Sequence, residues 1–273
     1  MKQILTRTLS GLIYVLAMVG SLLIHPWAFA FLFAVLVVLG LSEFYRMSGQ
    51  GSGNRMMVVG IAIGIILFMA LFIGHHYDIK ELIPAVMLCL LLAILILTLY
   101  LPGKSGFESA GGLLLGTLYV ALPLGLASGL VYSRLAEGYN ISLLLFVYIV
   151  IWIYDSAAYL TGMAIGRNPL FKRVTPKKTI EGLAGGILLT FVAAWAMRGL
   201  FELIPTPLYY LLTLLIILSG TFGDFVESWL KRSAGVKDSG SIMPGHGGIL
   251  DRLDSLLFAI PVVYITILIY HLA

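Results

Sequence analysis

Nine runs of about 17 to 25 apolar residues follow one another with short polar breaks between them, each matching the roughly 20 residues a helix needs to cross a hydrocarbon core. They lie near Arg7 to Ile24, Pro26 to Leu41, Met56 to Ile73, Ile83 to Leu101, Ala110 to Tyr132, Ile141 to Ala164, Leu183 to Leu200, Pro207 to Phe225 and Ser255 to Leu272. Composition agrees. Hydrophobic residues make up 60% of the chain and charged residues 11%, where soluble domains carry roughly 25% charged residues. Strands of a membrane barrel would alternate polar and apolar residues, and these runs do not. The sequence therefore predicts an all-α, polytopic integral membrane protein with about nine transmembrane helices. The first run is followed almost at once by a second, with no small-residue cleavage site between them. It reads as a retained helix, with the mature protein starting at Met1.

Orientation follows from the basic residues, which favour the cytoplasmic side. Of the 17 lysines and arginines, 14 fall at the amino terminus and in the even-numbered loops, and only Lys80, Arg134 and Arg198 fall on the opposite side. The amino terminus and both large basic loops, near 166–182 and 226–254, are expected in the cytoplasm, in a multi-pass protein of the cell's inner membrane. The net charge of +4 thus belongs to a membrane face that attracts anionic lipid, at about 1 kcal/mol per basic residue, and not to a nucleic-acid groove. The single cysteine, Cys89, excludes an intrachain disulfide and a cysteine metal cluster.

Both large loops belong to the last four helices. The expected organisation is a scaffold over residues 1–135 and a catalytic region over 136–273. Small-residue pairs in the first part, Gly60 with Gly64, Gly112 with Gly116 and Gly125 with Gly129, allow close helix approach, either within the chain or across a homodimer.

Charge is concentrated between the last two runs. The 31 residues from Asp224 to Asp254 hold nine of the 30 charged residues. If the eighth helix continues past its apolar run, Asp224, Glu227 and Lys231 fall at i, i+3 and i+7 on one face, as a salt-bridge ladder or as part of a site. Asp251 and Asp254 share a face at the start of the ninth helix. A helix cap explains one aspartate, but not the neighbouring Arg252, the preceding His246, Gly247 and Gly248, or Asp224 on the adjacent helix. Hard oxygen ligands on two adjoining helices suit Mg²⁺ beside substrate phosphates; with Lys231, Arg232, Lys237 and Arg252 they make a site that can stabilise phosphoryl charge. No Cys or His pair supports zinc. The glycines around His246 expose backbone N–H groups to a phosphate, although a lone histidine is also an ordinary loop residue. In the other loop, Pro176, Lys177, Lys178, Thr179, Glu181 and Gly182 combine cations, a hydroxyl and a helix start; the same lysines also serve as a topology signal. Asp155 lies about 14 residues into the sixth run, where a lone carboxylate costs on the order of 2.5 to 3.5 kcal/mol. It either bonds a neighbouring helix or serves the site.

The residues from Ser228 to Asp254 resemble the signature of phosphatidate cytidylyltransferases, also called CDP-diacylglycerol synthases. The match takes in Ser228, Leu230, Lys231, Arg232, Lys237, Asp238, Gly240, Pro244, His246, Gly247, Gly248, Ile249, Asp251, Arg252, Leu253 and Asp254. Met243 departs from it, standing where the family usually has Leu, Ile or Phe. The segments PKKTIEG and DSAAYLTG resemble family segments in the expected order, so the likeness covers about the last 120 residues strongly and the first half through hydropathy alone. The resemblance implies that CTP and phosphatidic acid give CDP-diacylglycerol and pyrophosphate, with Mg²⁺ and room for a second cation. It points to Asp224 and Asp251 as metal ligands, with Asp254 next. Lys178, His246, Lys177, Thr179, Ser228, Lys231, Arg232, Lys237, Asp238, Gly247, Gly248, Arg252 and Asp155 are its further catalytic or substrate-binding candidates. A related enzyme using CTP on another lipid, a polyprenol kinase or an archaeal lipid cytidylyltransferase, would share the metal site. A transporter would explain Asp155 but not the polar cluster, and the two halves carry no repeat of the kind many transporters have.

Overall fold

The computed structural model describes residues 2–49, 54–79, 81–100, 106–171, 175–243 and 247–272, without the side chains of 2–7, 54, 176 and 177. Helices α1 (Lys2–Ile24), α2 (Pro26–Met47), α3 (Asn54–His76) and α4 (Leu82–Leu97) come first. They are followed by α5 (Gly106–Gly116), a π turn (Thr117–Ala121), α6 (Leu122–Val131) and α7 (Ser142–Ile165). A hairpin of β1 (Pro169–Phe171) and β2 (Thr175–Thr179) leads into α8 (Ile180–Met197), then α9 (Thr206–Ser233) and α10 (Leu250–Leu272). Among the described residues seven helical segments are long and apolar enough to cross a membrane, and two shorter apolar helices, Thr8–Ile24 and Leu82–Leu97, bring the rods to nine. The chain is an all-α, multi-pass membrane protein.

The fifth apolar run is one rod with a defect. Pro123 has no N–H to give and its ring would crowd the carbonyl of Tyr119, four residues back. The helix widens into the π turn just before it, and the N–H of Leu122 reaches the carbonyl of Thr117. The glycine pairs serve packing inside the chain. Gly60 and Gly116 lie against Tyr45, Gly64 against Leu41, Gly125 against Leu71 and Gly129 against Tyr264.

Several helices extend beyond their apolar runs, and the last two do so into the polar cluster. α9 continues eight residues past Phe225, and α10 starts five before Ser255. Hydropathy marks where a helix faces lipid, whereas the helix itself continues while polar side chains find partners across the groove. The basic loop also contains the β1–β2 hairpin, antiparallel with Pro169 opposite Thr179 and Phe171 opposite Thr175; so short a pairing has no alternation to announce it in the sequence. The closest helix pairs are α7 with α8 and α9 with α10, and the polar residues collect between these two pairs.

Candidate active site

α9 and α10 touch through glycine. A Cβ at Gly223 would collide with the backbone carbonyl of Asp254, and one at Gly220 would press on Ser255 at 3.3 Å. This contact brings Asp224 and Glu227 of α9 up to Asp254 of α10. The three carboxylates each offer an oxygen, all within 4.8 Å of one another. Glu227 is 1% exposed. Its Oε2 pairs with Lys231 at 2.5 Å, while its Oε1 is buried without a hydrogen-bond partner among the described residues. An orphaned carboxylate oxygen inside a group of three is what a hard divalent cation would satisfy, so the residues fit the expected metal.

Asp251 stands beside this group. Its Oδ1 accepts from Lys231 Nζ at 2.6 Å, and its Oδ2 accepts from the N–H of Gly248 at 2.7 Å and of Ser239 at 3.1 Å. Lys231 is therefore shared by Glu227 and Asp251; of the expected ladder along α9 only the Glu227–Lys231 pair forms among the described residues, because Asp224 pairs with Lys178 instead. The loop that wraps Asp251 requires its glycines. Gly247 has φ +86°, in the left-handed region that favours glycine. A side chain on Gly248 would run into Ser239 Oγ and into Glu43.

Glu43, near the end of α2, closes the arrangement from the other side. It is 1% exposed and accepts three hydrogen bonds at 3.0 Å, from the N–H of Ile249 and Leu250 and from Ser239 Oγ. It thus caps α10 from a distant part of the chain. The sequence reading missed it. It lies two residues past the end of the second apolar run, as the one acid of α2, where an acid at a membrane interface is ordinary.

From the hairpin side, Lys178 forms an ion pair with Asp224. Burial works against charge on Lys178, but Asp224, then Asp155 and Asp254, outweigh it and raise the ammonium above its ordinary range. Thr179 caps α8 by accepting from the N–H of Gly182 at 3.1 Å, as the expected helix start requires. Asp155 has no hydrogen bond or ion pair among the described residues and lines two cavities, one of 290 Å³ and one of 580 Å³. Asp251, Arg252 and Asp254 line both as well.

The structure thus gathers Asp155, Lys178, Thr179, Asp224, Lys231, Gly247, Gly248, Asp251, Arg252 and Asp254 around one place. Lys231, Gly247 and Gly248 line neither cavity and join the site through Asp251; Ser228, Arg232, Lys237 and Asp238 also lie outside both, and Arg232 is exposed and donates to the carbonyl of Val236 at 3.3 Å. His246 and the side chain of Lys177 fall outside the described residues.

A profile described as the Cytidylyltransferase family matches residues 5–270. The phosphatidate cytidylyltransferase of Bacillus subtilis is 34% identical over 97% of this chain and 96% of its own length. That of Staphylococcus epidermidis is 33% identical over 96% and 98%, and that of Staphylococcus aureus 30% over 96% and 98%. With nearly its whole length matched by the family profile, this chain belongs to the cytidylyltransferase family.

Proposed function

We propose that the protein transfers the cytidylyl group of CTP to phosphatidic acid, giving CDP-diacylglycerol and pyrophosphate, at the cytoplasmic face of the cell's inner membrane. The observation that carries this reading is the carboxylate group of Asp224, Glu227 and Asp254, of which Asp254 lines both cavities and Asp224 the larger, beside a lysine held charged. A phosphate oxygen of the lipid attacks the α-phosphorus of CTP, and the bond to the oxygen bridging to the β-phosphate breaks. Bound Mg²⁺ would neutralise charge on the phosphates and on the departing pyrophosphate. Asp224, Glu227 and Asp254 would hold it, with Asp251 the next carboxylate, linked to them through Lys231.

The chain's own residues position and neutralise. Lys178 brings a positive charge to the nucleotide side. Arg252 faces both cavities and can bridge the phosphates of the two substrates. Asp251 shares Lys231 with Glu227 and holds the glycine loop through the N–H of Gly248. The chemistry sits in a narrow, largely apolar place, where each charge interaction is stronger than in water.

Purified protein in detergent is expected to form CDP-diacylglycerol from CTP and phosphatidate only with Mg²⁺, and Asp251→Asn is expected to abolish turnover while the protein stays monodisperse. Undiminished turnover by that variant would remove Asp251 from the site. Turnover of a prenol or another lipid phosphate in place of phosphatidate would move the chain to a related CTP-dependent activity.

A further inference from the structure

The two cavities share a floor of Asp155, Asp251, Arg252, Asp254 and Ser255, but their far walls differ in kind. The smaller, of 290 Å³, lies between α1, α7 and α10, walled by Tyr14 and Val15 of α1 and by Tyr148, Ile151 and Trp152 of α7. The larger, of 580 Å³, lies between α7, α8, β2 and α9, and adds Lys178, Thr179, Gly182 and Asp224. Resting on the reading of CTP and phosphatidate as substrates, we propose that the cavities divide them. The α1–α7–α10 cleft receives the glycerol backbone and the first part of the acyl chains, with Tyr148 donating a hydrogen bond to an ester carbonyl of the lipid. The α7–α8–α9 cavity receives the triphosphate.

Three observations support this division. The first is the set of phosphate-binding groups. Arg252 is the one cation among the described residues lining the smaller cleft, against three aspartates. The larger cavity adds one aspartate, Asp224, and one cation, Lys178, so the charge balance is equal; it also adds Thr179 and the first turn of α8, whose N-terminus suits phosphate.

The second is Tyr148. It is 2% exposed, it lines the smaller cleft, and its hydroxyl has no hydrogen-bond partner among the described residues. Buried hydroxyls are nearly always bonded, and an orphan calls for a partner. A donor in a cleft walled by apolar and aromatic side chains matches the ester carbonyl that a diacyl lipid presents just below its phosphate. Trp152 packs on the ring of Tyr148, with centroids 5.7 Å apart and ring planes inclined at 29°.

The third is access. α1 packs chiefly on α2. It is tied to the rest by Tyr14 Oη donating to the carbonyl of Arg252 at 3.3 Å and by Tyr139 Oη donating to that of Leu22 at 3.0 Å. Leu9, Leu12, Ile13 and Leu16 on α1 are exposed, as the outer face of a membrane helix must be. A lipid reaches a cleft behind such a helix without leaving the bilayer. The cleft is also too small for a whole lipid, since sites that bury an entire drug-sized ligand run to about 300–1,000 Å³. It therefore holds the head end while the chains run on into the membrane.

The experiment compares diester and diether phosphatidic acids in mixed micelles with wild type, Tyr148→Phe and Val15→Trp, reading KM for lipid and for CTP separately. Wild type is expected to favour the diester, and Tyr148→Phe to erase that preference by raising the diester KM about three- to tenfold, with the diether KM and the CTP KM unmoved. Val15→Trp is expected to raise the KM for long-chain phosphatidate about tenfold and to leave that for CTP. An unchanged ester preference in Tyr148→Phe overturns the assignment, as does a rise in the CTP KM in its place. If Val15→Trp loses its monodisperse peak, Tyr148→Phe, which removes a single oxygen, decides alone. A wild type that turns over no CTP with either lipid sinks the substrate reading, whereas an active wild type with indifferent variants sinks the division of the cavities.

Discussion

Glu43 and Lys231 do opposite jobs at the same site. Glu43 brings negative charge to backbone N–H groups that have no other partner at the start of α10, whereas Lys231 brings positive charge to two carboxylates that would otherwise repel. In Glu43→Gln an amide NH₂ must replace one acceptor oxygen and point at groups that are themselves donors. The helix start then shifts, and with it Asp251 and Asp254. Turnover is expected to fall by about 10- to 100-fold, with a higher Mg²⁺ requirement, as when groups behind metal ligands are altered; Glu43→Asp, which keeps both oxygens, should recover part of it. Equal activity and equal Mg²⁺ dependence in all three proteins would show that the cap is merely structural. Lys231→Met leaves Glu227 and Asp251, 1% and 9% exposed at the side chain, facing each other without a counter-charge. Breaking a buried pair in this way costs about 3 kcal/mol, measured as lost resistance to thermal or denaturant unfolding in detergent. The aspartates and Lys231 were legible in the sequence because charge stands out between apolar runs. Glu43 was not, because its partners lie 196 to 207 residues away and nothing local distinguishes it from an acid at a membrane interface.

At the scale of elements, the site is the contact of α9 with α10, and Gly223 sets how close they come. An added methyl there meets the backbone carbonyl of Asp254, which cannot swing aside as a side chain would. Gly223→Ala should therefore separate the two helices by several tenths of an ångström and pull Asp224 from Asp254. The expected result is a destabilisation of about 1–3 kcal/mol with a disproportionate loss of turnover; Gly20→Ala on α1, where a methyl meets open space, is the control. Equal, small effects in both variants would show that the contact is slack. The helices themselves were readable from apolar length. Their ends were not, because α9 and α10 continue into polar sequence whose partners lie on other elements. The π turn in the fifth run was likewise not read from the sequence, since it is a local adjustment ahead of Pro123 within one continuous rod.

At the scale of the whole molecule, most of the stability comes from the buried core and the activity from the carboxylate group set into it. The core runs through both halves, from Met18 and Phe29 to Val263 and Ile267. The first half was expected as scaffold, and its helices do form much of that core; yet Glu43 and the α1 wall of the smaller cavity also come from it. Hydropathy could read the one contribution and not the other, since a scaffold announces itself by length while a reach across the bundle depends on tertiary contact. Metal removal separates the two. A cation present at ten times its Kd stabilises the folded state by about 1.4 kcal/mol through linkage, a small share of what apolar packing supplies. Chelation of Mg²⁺ is therefore expected to stop CDP-diacylglycerol formation entirely while far-UV circular dichroism is unchanged and Tm falls by only a few degrees. Re-addition of Mg²⁺ should restore turnover at once. Unfolding on chelation would mean that the carboxylates, once stripped of their counter-charge, repel strongly enough to open the α9–α10 contact, and that the cation holds the bundle together as well as serving its chemistry.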